Sequence, residues 1–256
     1  MTGLATTARR IVVTGGARGI GAAAAAGFVG AGARVALLDQ RAGEASALVT
    51  RLGNTNCQFW HCNVALSVEV EAAMDAAAAW LGGIDMLINA AGLDRPATAE
   101  AVIEADWDLV MSVNAKGAML TNKAALRHMR ADGGRIVNFA SIYGVRGGAD
   151  RAAYSAAKAA VLGWTRAAAR DWGRFGIAVN AVAPIVATEV ALKSLSLMTP
   201  AQHAEVEAHF RREIPLGGHM GDAQRDLVPL LLFLAGPGAA YITGQLLNVD
   251  GGMMIG

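Results

Sequence analysis

The chain has 256 residues, 54% of them apolar and 17% charged, with a formal net charge of +1. That length can bury a sizeable core as one α/β domain or two small ones, and the sparse, balanced charge without a Lys/Arg cluster excludes a nucleic-acid footprint. The opening MTGLATTARR lacks the apolar stretch of a secretory signal and the most apolar run, Val228 to Ala235, is too short to span a bilayer, so a soluble, cytoplasmic protein is expected.

Short apolar runs alternate with helical stretches along the chain. Strands are predicted at Ile11–Thr14, Arg34–Asp39, Gln58–Val64, Asp85–Ala90, Arg135–Ala140, Ala178–Ala183 and Gln245–Val249. Segments with helical spacing fall between them, roughly Ile20–Ala31, Gly43–Leu52, Ser67–Leu81, Ala101–Met129, Ala153–Phe175 and Asp222–Ala235. Apolar strands alternating with helices predict a parallel sheet covered on both faces. No repeat or low-complexity linker interrupts the pattern, so the expected fold is α/β, one doubly wound domain over residues 1–256. Cys57 and Cys62 are five apart in a predicted strand, which points them to opposite faces and excludes a bridge. No ligand cluster surrounds them, and no metal is expected.

The first predicted strand runs into Thr14-Gly15-Gly16-Ala17-Arg18-Gly19-Ile20-Gly21 and then a helix. Gly15, Gly19 and Gly21 allow a sharp turn and a close ligand approach, and the helix N-terminal amides can hold a pyrophosphate. The spacing is G-x-x-x-G-x-G rather than G-x-G-x-x-G. Eighteen residues past Gly21, Asp39 ends the second strand. There an acid can accept hydrogen bonds from an adenosine ribose, or it can simply cap the next helix.

Tyr154 and Lys158 are four apart on a predicted helix and share one face. A neighbouring ammonium favours phenolate over phenol, which would let Tyr154 exchange a proton near neutral pH. Ser141 lies thirteen residues upstream. Alone, Ser141 could end a strand and Asn114 could be a satisfied core amide; beside Tyr154 and Lys158 they suggest a site. The five histidines, His61, His128, His203, His209 and His219, show no ligand or triad spacing. Residues 187–215 should cover a substrate, with Thr199-Pro200-Ala201-Gln202 opening a helix and Val206, Phe210 and Ile214 forming its apolar face.

The ordered set Thr14–Gly21, Asn89-Ala90-Ala91-Gly92, Asn114, Ser141, Tyr154, Lys158, Asn180, Pro184, Thr188, Gly244-Gln245 and Val249-Asp250-Gly251-Gly252 resembles the short-chain dehydrogenase/reductase family from Arg10 to Gly252. The resemblance implies a single Rossmann-type domain with a seven-stranded parallel sheet flanked by helices. It implies a nicotinamide dinucleotide as cofactor, which the Asp39 reading makes NAD, and an alcohol or ketone as substrate. By this resemblance Tyr154 is the acid/base, Ser141 orients the substrate oxygen, Lys158 lowers the tyrosine pKa and binds the nicotinamide ribose, and Asn114 holds a water in a proton relay. Asn89, Ala90 and Gly92 would lie beside the adenosine ribose and Asn63 and Val64 at the adenine. Pro184 and Val186 would meet the cofactor, Val186 at its carboxamide, with Thr188 near the pyrophosphate. Two positions depart from the pattern: Asn63 stands where the family has Asp, and Ile185 follows Pro184 where the family has Gly.

The resemblance further implies a homotetramer built on the two long helices and the C-terminal region. Met253, Met254 and Ile255 form an apolar tail that is either a partner contact or a frayed end. Asp39 favours NAD over NADP. The candidate pocket residues Ile142, Tyr143, Val145, Val190 and Leu192 are mostly apolar, which points to a cyclic or aromatic secondary alcohol, although Tyr143 could equally just pack. Three other readings stay open: an NADPH-using 3-oxoacyl-carrier-protein reductase, a non-redox epimerase or lyase, and a binding module without catalysis. Neither a nucleic-acid nor a membrane partner is expected.

Overall fold

A computed structural model describes residues 9–255, with the side chains of Val190 and Ser194 left aside. Seven strands form one parallel sheet: β1 (Arg10–Thr14), β2 (Arg34–Asp39), β3 (Cys57–His61), β4 (Met86–Asn89), β5 (Gly134–Phe139), β6 (Ile177–Pro184) and β9 (Leu246–Val249), in the order β3-β2-β1-β4-β5-β6-β9. Two short strands, β7 (Val186–Ala187) and β8 (Gly221–Asp222), pair separately. The helices are α1 (Gly19–Gly30), α2 (Ala42–Leu52), α3 (Ser67–Leu81), α4 (Glu104–Val110), α5 (Gly117–Met129), α6 (Tyr143–Arg146), α7 (Ala152–Trp172), α8 (Glu189–Ser196), α9 (Pro200–Glu213) and α10 (Val228–Ala235).

Alternate strand residues supply two separate cores, because successive side chains leave opposite faces of a sheet. Ile11, Val13, Val35, Leu37, Met86 and Ile88 pack with α1, α2 and α10. Val12, Ala36, Leu38, Leu87, Ile136 and Val179 pack with α3, α5 and α7. Cys57 joins the first core and Cys62 the second, as their odd spacing requires. Burial pushes both thiols up to about 12, which leaves them unreactive. The small residues of α1 let it pack closely: a Cβ at Gly27 would collide with Val228 of α10.

A polar chain crosses this apolar interior. Thr14 Oγ1 donates to Asn89 Oδ1 at 2.7 Å, Asn89 Nδ2 donates to Asn138 Oδ1 at 3.2 Å, and Asn138 Nδ2 reaches both Asn122 Oδ1 and Thr165 Oγ1 at 3.0 Å. Trp164 Nε1 closes it on Asn122 at 3.0 Å. The chain fastens β1, β4 and β5 to α5 and α7. Each of these groups would cost about 1–3 kcal/mol if left buried without its partner.

Several boundaries differ from the sequence pattern. The strand predicted at Gln58–Val64 ends at His61, because Asn63 turns the chain: its Oδ1 accepts from Ala65 N at 3.0 Å while Glu69 Oε2 accepts from Asn63 N at 2.8 Å. The helix predicted at Ala101–Met129 begins at Glu104 and carries a π turn over Met111–Lys116. A second π turn, Ala223–Leu227, precedes α10 in the helix predicted at Asp222–Ala235. Thr199 and Gln202 do cap α9 reciprocally, a capping box with Pro200 in the first turn.

Candidate active site

The sheet reverses its winding between β1 and β4, where ligand crevices form beyond the carboxyl ends of strands. The glycine loop lies there. Gly15 has φ +63°, and a Cβ on it would sit 2.7 Å from the Ala91 backbone. A Cβ on Gly21 would strike the Gly15 carbonyl oxygen. The first turn of α1 contains no acidic residue and its cap, Arg18, makes no side-chain cap hydrogen bond, so the turn itself leaves the helix dipole uncompensated.

Asp39 closes the outer side of this loop. Its Oδ2 accepts from Ala17 N and its Oδ1 from Arg41 N, both at 3.0 Å. The cap residue of α2 is Arg41, so Asp39 joins loop to strand rather than capping that helix directly. Each oxygen keeps acceptor capacity for a further donor. Across the loop, Thr188 lies 3.9 Å from the position a Gly19 Cβ would take, and its hydroxyl caps α8 by accepting from Ala191 N at 3.1 Å.

Several of the residues expected at the cofactor also hold the fold. The Asn89 amide belongs to the interior polar chain. Asn180 ties β6 to the segment before β9, giving Nδ2 to Ile242 O at 2.7 Å and taking Gln245 N at 3.1 Å. Val64 is buried against Gly117. The missing glycine after Pro184 is absorbed without a break: Ile185 N donates to Val249 O at 2.8 Å, and Val186 continues into β7.

Ser141, Tyr154, Lys158 and Asn114 converge beside Gly92. Helix α6 packs on α7 through Gly144, where a Cβ would lie 2.7 Å from the Lys158 backbone. This brings the Ser141 hydroxyl to the Tyr154 phenol. Lys158 is buried; its Nζ donates to Phe139 O at 2.8 Å and stands 5.5 Å from the Tyr154 ring centre. The π turn places Asn114 so that Nδ2 donates to Leu93 O at 2.7 Å and to Val110 O at 3.0 Å. Its buried Oδ1 has no hydrogen-bond partner among the described residues. That oxygen points past Gly92, where a Cβ would sit 2.7 Å from it and 3.6 Å from Lys158 Nζ. A glycine cradle, a bare helix N-terminus and an orphaned acceptor beside an ammonium are features that fit a dinucleotide.

The electrostatics correct one expectation. In place of a phenol lowered by Lys158, Tyr154 is pushed up to about 12, mainly by burial and then by the Asp94 carboxylate. Ser141 and Arg151 pull the other way. Burial meanwhile lowers Lys158 to about 8, and its ammonium is directed at a carbonyl rather than at the phenol.

The pocket also differs from its apolar expectation. Ile142 is buried and cannot line an open cleft, Val145 and Leu192 are exposed, and the Val190 side chain lies outside those described. Ile214 of the expected lid face closes on the body at Gly251. Beside Tyr154 stands an ion pair with no signal in the sequence pattern, Arg151 Nε to Asp94 Oδ2 at 2.9 Å. The histidines pair with surface acids or a carbonyl, as in His61–Glu69, His128–Asp75, His203–Glu207 and His219–Met220, apart from His209, which stacks by Phe210. No group of three or more metal-ligating side chains occurs among the described residues, and no helix there is long and apolar enough to cross a membrane.

A family model described as enoyl-(acyl carrier protein) reductase matches residues 15–254. The chain is similar to a 3-oxoacyl-(acyl-carrier-protein) reductase of Rattus norvegicus, 35% identical over 95% of this chain and 97% of the relative. It is 36% identical to 2-(S)-hydroxypropyl-CoM dehydrogenase 3 of Xanthobacter autotrophicus, over 95% of each chain. It is likewise 36% identical to a D-threitol dehydrogenase of Mycolicibacterium smegmatis, over 95% of this chain and 92% of that one.

Proposed function

Because the chain belongs to the short-chain dehydrogenase/reductase family, oxidoreductases with a nicotinamide dinucleotide cofactor, we propose that it interconverts a secondary alcohol and its ketone using NAD. The observation that carries this reading is the convergence of Ser141, Tyr154, Lys158 and Asn114 at the sheet's carboxyl edge, next to the glycine loop. Gly15, Arg18, Gly19, Ile20 and Gly21 would hold the pyrophosphate with Thr188 opposite, and Asp39 the adenosine ribose. Ala90 and Gly92 would border the ribose, Asn63 and Val64 the adenine, and Pro184 and Val186 the carboxamide end. When bound, the nicotinamide supplies the hydride acceptor or donor.

Tyr154 gives its proton to the carbonyl oxygen in reduction and takes it from the hydroxyl in oxidation. Ser141 orients that oxygen. Lys158 supports the developing phenolate and offers donors to a ribose. Asn114, with its free Oδ1, accepts from a water that passes protons onward. The relatives' names span acyl-carrier, coenzyme and polyol substrates, so the cyclic or aromatic alcohol rests only on the apolar character of Tyr143, Val145 and Leu192 in the segments flanking Ser141 and Thr188. A panel of secondary alcohols and ketones, followed at the nicotinamide absorbance band, tests the reaction; no hydride transfer with any member would overturn it.

NAD is expected to exceed NADP in kcat/KM by at least tenfold. The extra phosphate of NADP would meet the Asp39 carboxylate, and two unit charges 4 Å apart repel by roughly 4 kcal/mol at an effective dielectric near 20. Screening by salt and the nearby Arg18 and Arg41 reduce this, yet about 2 kcal/mol still gives roughly thirtyfold. Asp39→Ala should narrow the ratio chiefly by weakening NAD. Steady-state kinetics with both cofactors decides it, and equal efficiency in the parent protein would confine Asp39 to its two backbone bonds.

A homotetramer is expected as well. Helix α7 leaves a strip of small residues exposed, Ala159, Ala160, Gly163 and Ala167, while Trp107 and Leu109 of α4 and its cap residue Ile103 are exposed as well. Apolar patches of that kind are unusual on a monomer. Sedimentation at micromolar concentration should give four times the chain mass; a monomer would refute the assembly.

A further inference from the structure

The loop after β4 and the start of α7 are locked together beside Tyr154. Leu93 packs in one cluster with Tyr154, Ala153 and Ala157. Ala97 N donates to Asp150 O at 3.0 Å, and Ala97 pairs with Arg151 as an isolated parallel bridge. Asp150 holds φ +56°, unusual for a residue with a side chain though tolerated by aspartate, and this bend leads directly into Arg151. Arg151 Nε then reaches Asp94 Oδ2 at 2.9 Å. The other carboxylate oxygen, Oδ1, is buried with no hydrogen-bond partner among the described residues; burial raises the Asp94 carboxyl, while Arg151 and the Arg95 amide pull it down towards the charged form. A carboxylate so placed cannot be fully screened by water, and its field falls on the neighbouring phenol.

We propose that the Asp94–Arg151 pair acts as a positioning device for Tyr154, setting the balance of charge on the phenol and with it the pH range in which it exchanges a proton. The proposal rests on Tyr154 being the proton carrier. Among the described residues, the polar and charged groups acting on the phenol are Ser141 and Tyr143 from the segment after β5, Lys158 from its own helix, and Asp94 and Arg151. Of these, the pair alone brings opposite charges that a substitution can unbalance in either direction. Asp94 disfavours phenolate and Arg151 favours it, so removing one partner should move the phenol one way and removing the other should move it back.

The test compares Asp94→Asn, Arg151→Met, Arg151→Lys and the Asn/Met double variant. In alcohol oxidation, Asp94→Asn should shift the rising limb of the kcat/KM–pH profile to lower pH by about one unit, a tenfold rate change on that limb. Arg151→Met should shift it upward. Arg151→Lys, which keeps the cation, and the double variant, which removes both charges, should lie near the parent. A purely structural latch would lower activity in both single variants without opposite pH shifts, and that result would overturn the proposal. NMR titration of Cζ-labelled tyrosine in the NAD-bound protein, with Tyr154→Phe to assign the signal, reads the same shifts without turnover. Opposite shifts there with no alcohol oxidised would sustain the pair and sink the dehydrogenase reading. Normal turnover with coincident titrations would do the reverse.

Discussion

Replacing Tyr154 with Phe is expected to lower turnover by roughly 10²–10⁴-fold, the usual cost of losing a general acid/base, while NADH binding stays nearly unchanged. The ring is half-buried against Ala153, Ala157 and Leu93, and Phe preserves that packing. Only the proton is lost. The raised phenol adds a direction to the parent's behaviour. With the phenol upheld by burial and Asp94, the protonated form predominates at neutral pH, which suits donation to a ketone. Alcohol oxidation needs the phenolate and should climb towards alkaline pH. Steady-state rates in both directions from pH 6 to 10 check this, and a Phe variant retaining most of its activity would remove Tyr154 from the chemistry.

Lys158→Met should weaken NADH binding and turnover together. Hydrogen bonds to a charged group are worth about 1.5–3 kcal/mol, so each quantity should fall roughly tenfold to a hundredfold. The parent should itself show a pH signature. Burial depresses Lys158 to about 8 in the unliganded protein, so the ammonium is present below that pH and is lost as pH rises through it. NADH affinity should decline over the same interval in the parent and stay flat in the Met variant. Fluorescence titration of NADH across that range provides the measurement; normal affinity in Lys158→Met would confine the residue to its bond with Phe139.

Much of this arrangement is legible in the amino-acid sequence. The strand–loop–helix run from Ile11 to Gly21 combines an apolar period, spaced glycines and a helix start, all local signals. Tyr154 and Lys158 share a face because helical geometry alone puts them there. Thr199 followed by Pro200 announces the start of α9 in the same way, although the reciprocal bond from Gln202 appears only in the structure. What escaped was non-local or a matter of degree. Asp94 and Arg151 are far apart in sequence, and the Ala97 bridge, the Asp150 bend and the packing of Leu93 on α7 bring them together. The π turn at Met111–Lys116 has no periodicity of its own, since one added residue barely disturbs a helical pattern. Helical spacing predicts the proximity of Tyr154 to Lys158, but the sign of the phenol's shift depends on how deeply it is buried, which spacing does not encode. Ile142 looked like a pocket residue from its position beside Ser141 and proved to be core.

The pairing of Val186 with Gly221 and Ala187 with Asp222 gives the intervening segment, 188–220, a common point of departure and return. Asp226 fixes the return by accepting from Asp222 N at 2.6 Å, and Gln224 anchors it to α1 through Ala23 O at 2.9 Å. With its ends held so close, lengthening the segment costs little chain entropy: a doubling adds only about 0.6 kcal/mol. Ser141, Tyr154 and Lys158 are rooted outside it, in β5, its following turn and α7. On the proposed reading, in which this segment covers the substrate, it can be exchanged between its two anchored ends while Ser141, Tyr154 and Lys158 stay where they are.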